Sequence, residues 1–306
     1  MGTMTFGSQV DQSEAERMVD CCLDAGINFF DTANVYQQGL SEEILGKCLG
    51  PRRSSIVLAS KARGVMGEPP RYSGLSRKAI RAAMDESLKR LRTDYLDIYY
   101  LHQPDYETPL EETLEAIHEL YKEGKLRYSG SSNYAAWQIC EMFNICRQRN
   151  LVPPWISQPM YNMLARGIEQ EYIPFARRFE VSCICYNPLA GGMLTGKQHL
   201  DRGPLPGTRF DGNAMYQRRY WHPEYFEAVQ QLGKLAEQCG RSLSELAFAW
   251  IVNQPWVDAI ILGASSLKQL QENLAAAQSP PLERGVLAEC DNVWEKLRGP
   301  TPIYNR

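Results

Sequence analysis

Several things are scarce in this chain, and each scarcity closes a class of function. No apolar run approaches the roughly 20 residues that a membrane-spanning helix needs. The first residues lack the basic-then-apolar order of a signal peptide. Met1-Gly2 opens like a myristoylation site, but Phe6 stands where Ser or Thr is required. Basic residues are not in excess: the formal net charge is -3, which argues against a nucleic-acid surface. Histidine occurs only at His102, His118, His199 and His222, without an H-x-H or H-E-x-x-H pair, so no metal centre is expected. There is no G-x-G-x-x-G turn, internal repeat, low-complexity segment or linker. The 9 cysteines follow no framework spacing, and Cys183 and Cys185 alternate along one apparent strand. They read as buried, reduced thiols of a cytoplasmic protein.

What is present is an alternation. Hydrophobic residues make up 44% of 306, enough for a large core. Short apolar runs read as strands over 2–6, 28–31, up to Lys61, 96–101, 127–130, 156–159, 181–186 and 259–262. Between them, 3.6-residue periodicity predicts helices over 13–25, 41–49, 76–91, 109–121, 135–148, 170–179, 225–239, 242–254 and 266–277, with a terminal helix over 285–297. In the helix over 76–91, Ile80, Met84, Leu88 and Leu91 share one face. Ser13 and Glu16 could form a capping box. A long loop over 187–222 interrupts the rhythm. Eight strand–helix units match a (β/α)8 barrel of α/β class, in one domain over 1–306, since barrels routinely exceed ordinary domain size. A doubly wound sheet is the rival, but it predicts the Gly-rich turn that is missing.

Barrels carry their chemistry at strand ends. Asp31, with Tyr36 in its loop, follows the run over 27–30; Lys61 follows 56–59; His102 follows 98–101. A phenol titrates near 10 in water, and a neighbouring ammonium stabilises the phenolate. Lys61 can supply that ammonium, Asp31 can hold it charged, and His102 can bond a substrate oxygen beside Tyr36. Such a set is suited to protonating a carbonyl oxygen as hydride reaches its carbon. Taken singly, each residue has an ordinary explanation: a turn cap, a rim aromatic, a solvated lysine, a core histidine. Three successive strand ends favour the catalytic one. A competing motif, Gly191 to Lys197, fits G-x-x-x-x-G-K, but Gln198 replaces the Ser or Thr that binds magnesium, and Asp201-Arg202-Gly203-Pro204 allows little helix.

The stretch Gly26-Ile27-Asn28-Phe29-Phe30-Asp31-Thr32-Ala33, with Tyr36 and Gly39-Leu40-Ser41-Glu42, resembles the aldo-keto reductases. So do Ser60-Lys61, Leu101-His102, Gly130-Ser131-Ser132-Asn133 and Gly263-Ala264-Ser265-Ser266. The segments 187–196, 209–213 and 219–221 and the closing Ile303-Tyr304-Asn305-Arg306 are most similar to the aflatoxin-aldehyde and succinic-semialdehyde reductases. Potassium-channel β subunits share much of the cofactor pattern. The resemblance implies NADPH/NADP+ as cofactor, Tyr36 as general acid, Lys61 and Asp31 tuning it, and His102 orienting the carbonyl. It implies that Gly2, Thr3 and Met4 join Asp31 and Tyr36 along the cofactor. Ser132, Asn133 and Gln158 would hold the nicotinamide amide, and Tyr186 would stack on its ring. Asn187, Pro188, Leu189, Gly191 and Lys197 would cross the pyrophosphate. Gly263, Ser265, Gln269, Glu272 and Asn273 would grip the adenosine end, with Arg209 adding charge. The Gly-Ala-Ser-Ser turn suits an anion independently, because free N–H groups and the helix dipole meet there. Position 265 is Ser where the most basic members carry Arg. For substrate, Arg219 and Arg306 would meet a carboxylate, with Met4, Tyr36, His102, Trp221 and Tyr304 around the carbonyl. Arg218 reads as solvated. Many members begin with a β-hairpin closing the barrel floor, whereas Met1 here lies almost on the first strand. The expected partner is a small carbonyl compound, with no nucleic acid and no membrane; the nearest group suggests a homodimer. The alternative is a nucleotide-sensing interaction protein of channel β-subunit type.

Overall fold

The computed structural model describes residues 1–67 and 71–301. Its elements fall into two compact units. The first comprises Met1–Pro159, Phe175–Ile184 and Ile261–Gln271. It holds parallel strands β1 (Phe29–Asp31), β2 (Val57–Ala62), β3 (Leu96–Leu101), β4 (Leu126–Ser132), β5 (Pro154–Gln158) and β6 (Ser182–Cys185). Each strand lies beside its neighbour in sequence, with Asp31 opposite Ala59, Lys61 opposite Tyr100, and Ser132 opposite Gln158. That unreversed order is the order of a (β/α)8 barrel, whereas a doubly wound sheet reverses at a switch point. The fold class is therefore the α/β barrel that the alternation predicts. All residues of β3 are buried, as expected of a parallel strand covered on both faces.

Helices α1 (Gln12–Asp24), α2 (Leu40–Leu49), α3 (Arg77–Leu91), α4 (Leu110–Lys122) and α5 (Ala136–Arg149) alternate with these strands. α6 (Tyr172–Arg178) follows β5. The apolar stripe of α3 behaves as its period requires: Ile80, Met84, Leu88 and Leu91 are all buried. Ser76 caps that helix by accepting from the Ala79 N–H at 3.3 Å. The expected box at Ser13 is not formed. Asp11 caps α1 instead, accepting from the Glu14 N–H at 2.8 Å, because a carboxylate two residues earlier satisfies one of the free amides of the first turn.

The expected strand over 2–6 is reduced to two isolated bridges, Gly2 to Asp31 and Phe6 to Val10. Asp31 N–H donates to the Met1 carbonyl at 2.8 Å, Thr3 N–H to the Asp31 carbonyl at 2.9 Å, and Gly2 N–H to the Leu262 carbonyl at 2.7 Å. The N-terminal residues thus stand between β1 and residues 261–262. Beyond them the chain turns, because the Thr5 carbonyl accepts from Ser8, Gln9 and Val10.

The second unit comprises Met160–Pro174, Cys185–Ile260 and Glu272–Arg306. Its elements are α7 (Ala214–Tyr220), α8 (Pro223–Gln238), α9 (Leu243–Val252), β7 (Ala259–Ile260) and α11 (Arg284–Arg298), while α10 (Leu267–Ala277) begins in the first unit. α8 packs on α9 and α11 around Tyr161, Phe210, Tyr220 and Trp250. The expected loop over 187–222 contains α7, started by Asn213, whose side chain accepts from the Tyr216 N–H at 3.3 Å. Seven residues with an aromatic core face carry too little periodicity to be read as a helix. All 9 cysteines are free, but Cys21, Cys140 and Cys239 are only partly buried, a correction to the uniform burial expected of them. No helix among the described residues is long and apolar enough to cross a membrane.

Gly46, inside α2, fixes how closely α2 approaches the end of α3. A Cβ there would lie 2.5 Å from the Arg90 carbonyl oxygen and 2.8 Å from Leu91 Cα. Alanine normally gains about 1 kcal/mol over glycine inside a helix. Here the added methyl meets backbone, so Gly46→Ala should destabilise by about 1–3 kcal/mol in urea unfolding. An unchanged or raised midpoint would show that the helices can separate freely.

Candidate active site

Parallel pairing brings Asp31, Lys61 and His102 to the C-terminal ends of β1, β2 and β3. The ladder continues one step past β3, where the His102 N–H donates to the Ala62 carbonyl at 2.9 Å. Tyr36 reaches the same place from a short 3-10 turn, Tyr36–Gly39, after β1.

Lys61 is fully buried. Its Nζ donates to Asp31 Oδ1 in an ion pair, to the Thr32 carbonyl at 2.8 Å, and to Tyr36. The other Asp31 oxygen accepts from Gln158 Nε2 at 2.8 Å. Burial opposes charge on Lys61, but Asp31 and then Tyr36 outweigh it and hold the ammonium above its ordinary range. The ammonium lies 5.1 Å from the centre of the Tyr36 ring. The Tyr36 and His102 rings meet edge to face, 5.9 Å apart at 81°. Burial lowers the His102 pKa to about 3, helped by the positive charges of Lys61 and Arg63. His102 is therefore a neutral imidazole near pH 7, able to donate one N–H without carrying charge. All four residues expected to act together do converge, and all belong to the first unit.

The remaining candidates divide between the units. In the first, the Ser132 hydroxyl donates to the Gln158 carbonyl at 2.8 Å, and Asn133 Nδ2 donates to the His102 carbonyl at 2.9 Å. Ser132, Asn133 and Gln158 thus gather beside the four. This hydroxyl-and-carboxamide set at the strand ends fits the donor and acceptor pair of a nicotinamide amide. Gly2 and Thr3 are built into the sheet; Thr3 Oγ1 lies 3.2 Å from the Asp31 carbonyl and 2.9 Å from Ser41 Oγ. Met4 is exposed. Ser265 Oγ and N–H both donate to Gln269 Oε1, at 2.9 and 2.7 Å, and Gly263 precedes them, exposed. The expected free amides at the start of α10 are not all free: Leu267 N–H donates to Glu14 Oε1 at 2.6 Å.

In the second unit, Tyr186 is half-buried and its backbone bridges to Met160. Asn187 Oδ1 accepts from the Gly191 N–H at 2.6 Å. Pro188 is buried, Leu189 partly so, and Lys197 is exposed. Gly191 touches the Tyr216 ring so closely that a Cβ would lie 2.7 Å from it. Arg209 and Arg219 sit 5.5 and 5.7 Å from the centre of that same ring. Trp221 packs on Phe210 at 5.4 Å. Glu272 is exposed and Asn273 buried. Tyr304 and Arg306 lie outside the described residues. The competing phosphate-loop motif folds as a 3-10 segment, Ala190–Thr195, with Gly191 and Gly192 left-handed. The next α-helix after it begins only at Ala214, so the helix start that a phosphate loop requires is missing there.

The Aldo/keto reductase family model matches residues 1–295. This chain belongs to the aldo/keto reductase family. Over its whole length it is 36% identical to the rat aflatoxin B1 aldehyde reductase member 2, covering 87% of that protein. It is equally similar, at 36%, to the human aldo-keto reductase family 7 member A3, covering 100% of this chain and 96% of that one. Against a probable voltage-gated potassium channel subunit beta of Arabidopsis thaliana it is 39% identical, over 91% of this chain and 86% of that one. The protein is thus an oxidoreductase of a family that acts on carbonyl groups with a nicotinamide cofactor.

The sequence left one contributor of this reductase, Ser41, without a role, and placed Gln158 at the nicotinamide without its bond to Asp31. Ser41 joins Thr3 and Thr32, at 2.9 and 3.1 Å between hydroxyls. Ser41 stood in the Gly-Leu-Ser-Glu motif, so the signal was present, but only topology shows what it touches.

Because its folded pKa is depressed, His102 contributes stability above the unfolded value of 6.5 that is lost as pH falls toward about 3. Its 15N imidazole spectrum should show the neutral form unchanged from about pH 8 down to about pH 5. A titration centred near 6.5 would contradict the environment described.

Proposed function

We propose that this reductase uses NADPH to convert aldehydes and ketones to alcohols, with Tyr36 as general acid. The observation that carries the reading is the buried Lys61 ammonium, held between Asp31 and Tyr36. When bound, the nicotinamide supplies hydride to the carbonyl carbon. Tyr36 gives its phenolic proton to the carbonyl oxygen as negative charge builds there. The phenolate left behind is stabilised by Lys61, whose charge Asp31 maintains. Neutral His102 donates an N–H to the same oxygen, fixing the carbonyl without competing for the proton. Tyr36 is only half-buried, so solvent can return its proton; in the oxidative direction the phenolate accepts the alcohol proton.

Ser132, Asn133 and Gln158 are the residues we assign to the nicotinamide amide, and Gly263, Ser265 and Gln269 to the adenosine end. For Tyr186 to Leu189, Gly191, Lys197, Arg209, Glu272 and Asn273, family resemblance alone supports a cofactor role. Carboxylated or dicarbonyl aldehydes are the substrate class we favour, on Arg219, because a guanidinium pairs with a carboxylate bidentately. The identity shared with the Arabidopsis channel subunit supports a second reading, in which tight cofactor binding with slow turnover signals redox state. Location in the cytoplasm and assembly as a homodimer are further expectations from the resemblance.

Consumption of NADPH, and of NADH in parallel, with succinic semialdehyde, methylglyoxal and 4-nitrobenzaldehyde separates the readings. Tyr36→Phe should lower turnover by about 10²- to 10⁴-fold, with cofactor affinity unchanged. Tight NADPH binding without turnover in the wild type would favour the sensing protein.

A further inference from the structure

Tyr36 is followed by two residues in an unfavourable backbone conformation. Gln37 and Gln38 are left-handed, with φ of 49° and 53°, which side-chain-bearing residues avoid. Something must hold this turn, and the structure shows a candidate beneath it. Gly39, at φ +93°, lies so close to Arg90 that an added Cβ would be 2.8 Å from its Cδ and Nε. Arg90 Nε donates to Glu42 Oε2 at 2.7 Å, and the Glu42 side chain is wholly buried. Glu42 Oε1 in turn accepts from the Ser60 hydroxyl at 2.5 Å. Ser60 directly precedes Lys61. Arg90 is braced from its far side by Glu86 Oε2 at 3.0 Å, which also accepts from the Tyr72 hydroxyl at 3.3 Å.

One buried ion pair therefore touches the turn that carries Tyr36 and the strand end that carries Lys61. We propose that Glu42–Arg90 is a positioning pair that fixes Tyr36 against Lys61, holding the turn through Gly39 and the strand through Ser60. It rests on the reductase reading above. Neither residue meets substrate or cofactor; both act through Tyr36 and Lys61. A displacement of about 1 Å at a reacting group can cost about 100-fold in rate, so a loosened turn should be visible in turnover while binding persists.

A control is built into the same strands. Arg53 and Asp97 form a comparably buried pair, 2.8 Å apart with side chains 12% and 9% exposed, near the opposite strand ends, where Arg53 also bonds the Ile56 and Tyr95 carbonyls. Removing only Arg90 would strand a buried carboxylate, so the test uses Glu42→Gln/Arg90→Met, which removes both charges. Arg90→Lys keeps the pair, and Arg53→Met is the control. The double variant should lose about 100-fold in kcat, with KM and NADPH affinity within about two-fold, and its amides over 34–40 should exchange with deuterium faster in the protein without substrate. Arg90→Lys should recover most of the loss, and Arg53→Met should lower the melting temperature with kcat retained. Unchanged kcat and exchange in the double variant, or an equal kcat loss in Arg53→Met, would overturn the proposal. If the double variant fails to fold, Arg90→Lys decides alone: about three- to ten-fold lower kcat with faster exchange over 34–40 is expected, and wild-type values in both overturn it. A wild type without turnover would refute the reductase reading, and the exchange comparison would still decide the positioning.

Discussion

The site depends on a lysine ammonium kept charged inside the protein. Burying such a charge is costly unless a partner and hydrogen bonds replace its hydration. Lys61 obtains both from the end of the neighbouring strand β1: the Asp31 carboxylate and the Thr32 carbonyl. Gln158 then satisfies the remaining Asp31 oxygen from across the sheet. Parallel register is what makes this possible, since it delivers β1, β2 and β5 to one end. The same charge shapes its neighbours. It stands against the Tyr36 phenol and, with burial, keeps His102 uncharged. In the proposed mechanism the neutral imidazole orients the carbonyl and the phenol beside the ammonium gives the proton.

Most of this was legible in sequence because it depends on order and spacing. Apolar runs of strand length, each ending in polar residues, announced Asp31, Lys61 and His102. The stripe of Ile80, Met84, Leu88 and Leu91 announced α3. The failures turn on contacts that periodicity does not report, some local and some between residues far apart in the chain. Asp11 outcompetes Ser13 as a cap by a local margin that periodicity does not report. The run over 2–6 has strand composition, but its Thr5 carbonyl is taken by three local amides. α7 hides in an aromatic stretch whose partners, Phe210 among them, lie outside the helix. Glu14 on the first amide of α10 joins residues 253 positions apart, which no motif contains.

Motifs also differ in what they reveal. Gly191 to Lys197 matched a phosphate-loop pattern up to its lysine, yet its backbone forms 3-10 turns, and the next α-helix begins only at Ala214. Gly-Leu-Ser-Glu looked like a family marker without a task. In the structure Ser41 ties two threonine hydroxyls and Glu42 anchors an arginine. The physical meaning of a motif lies in what its residues reach, and Gly191 packs closely against the Tyr216 ring.

The central claim is that Lys61 and Tyr36 act as one proton-donating unit. Groups that act as a unit give non-additive losses when removed together. The most direct measurement is therefore a cycle of turnover numbers for wild type, Lys61→Met, Tyr36→Phe and the double variant, with one aldehyde at saturating NADPH. The account predicts that the double variant is no slower than the slower single one. Losses that multiply would contradict it and assign the two residues independent roles.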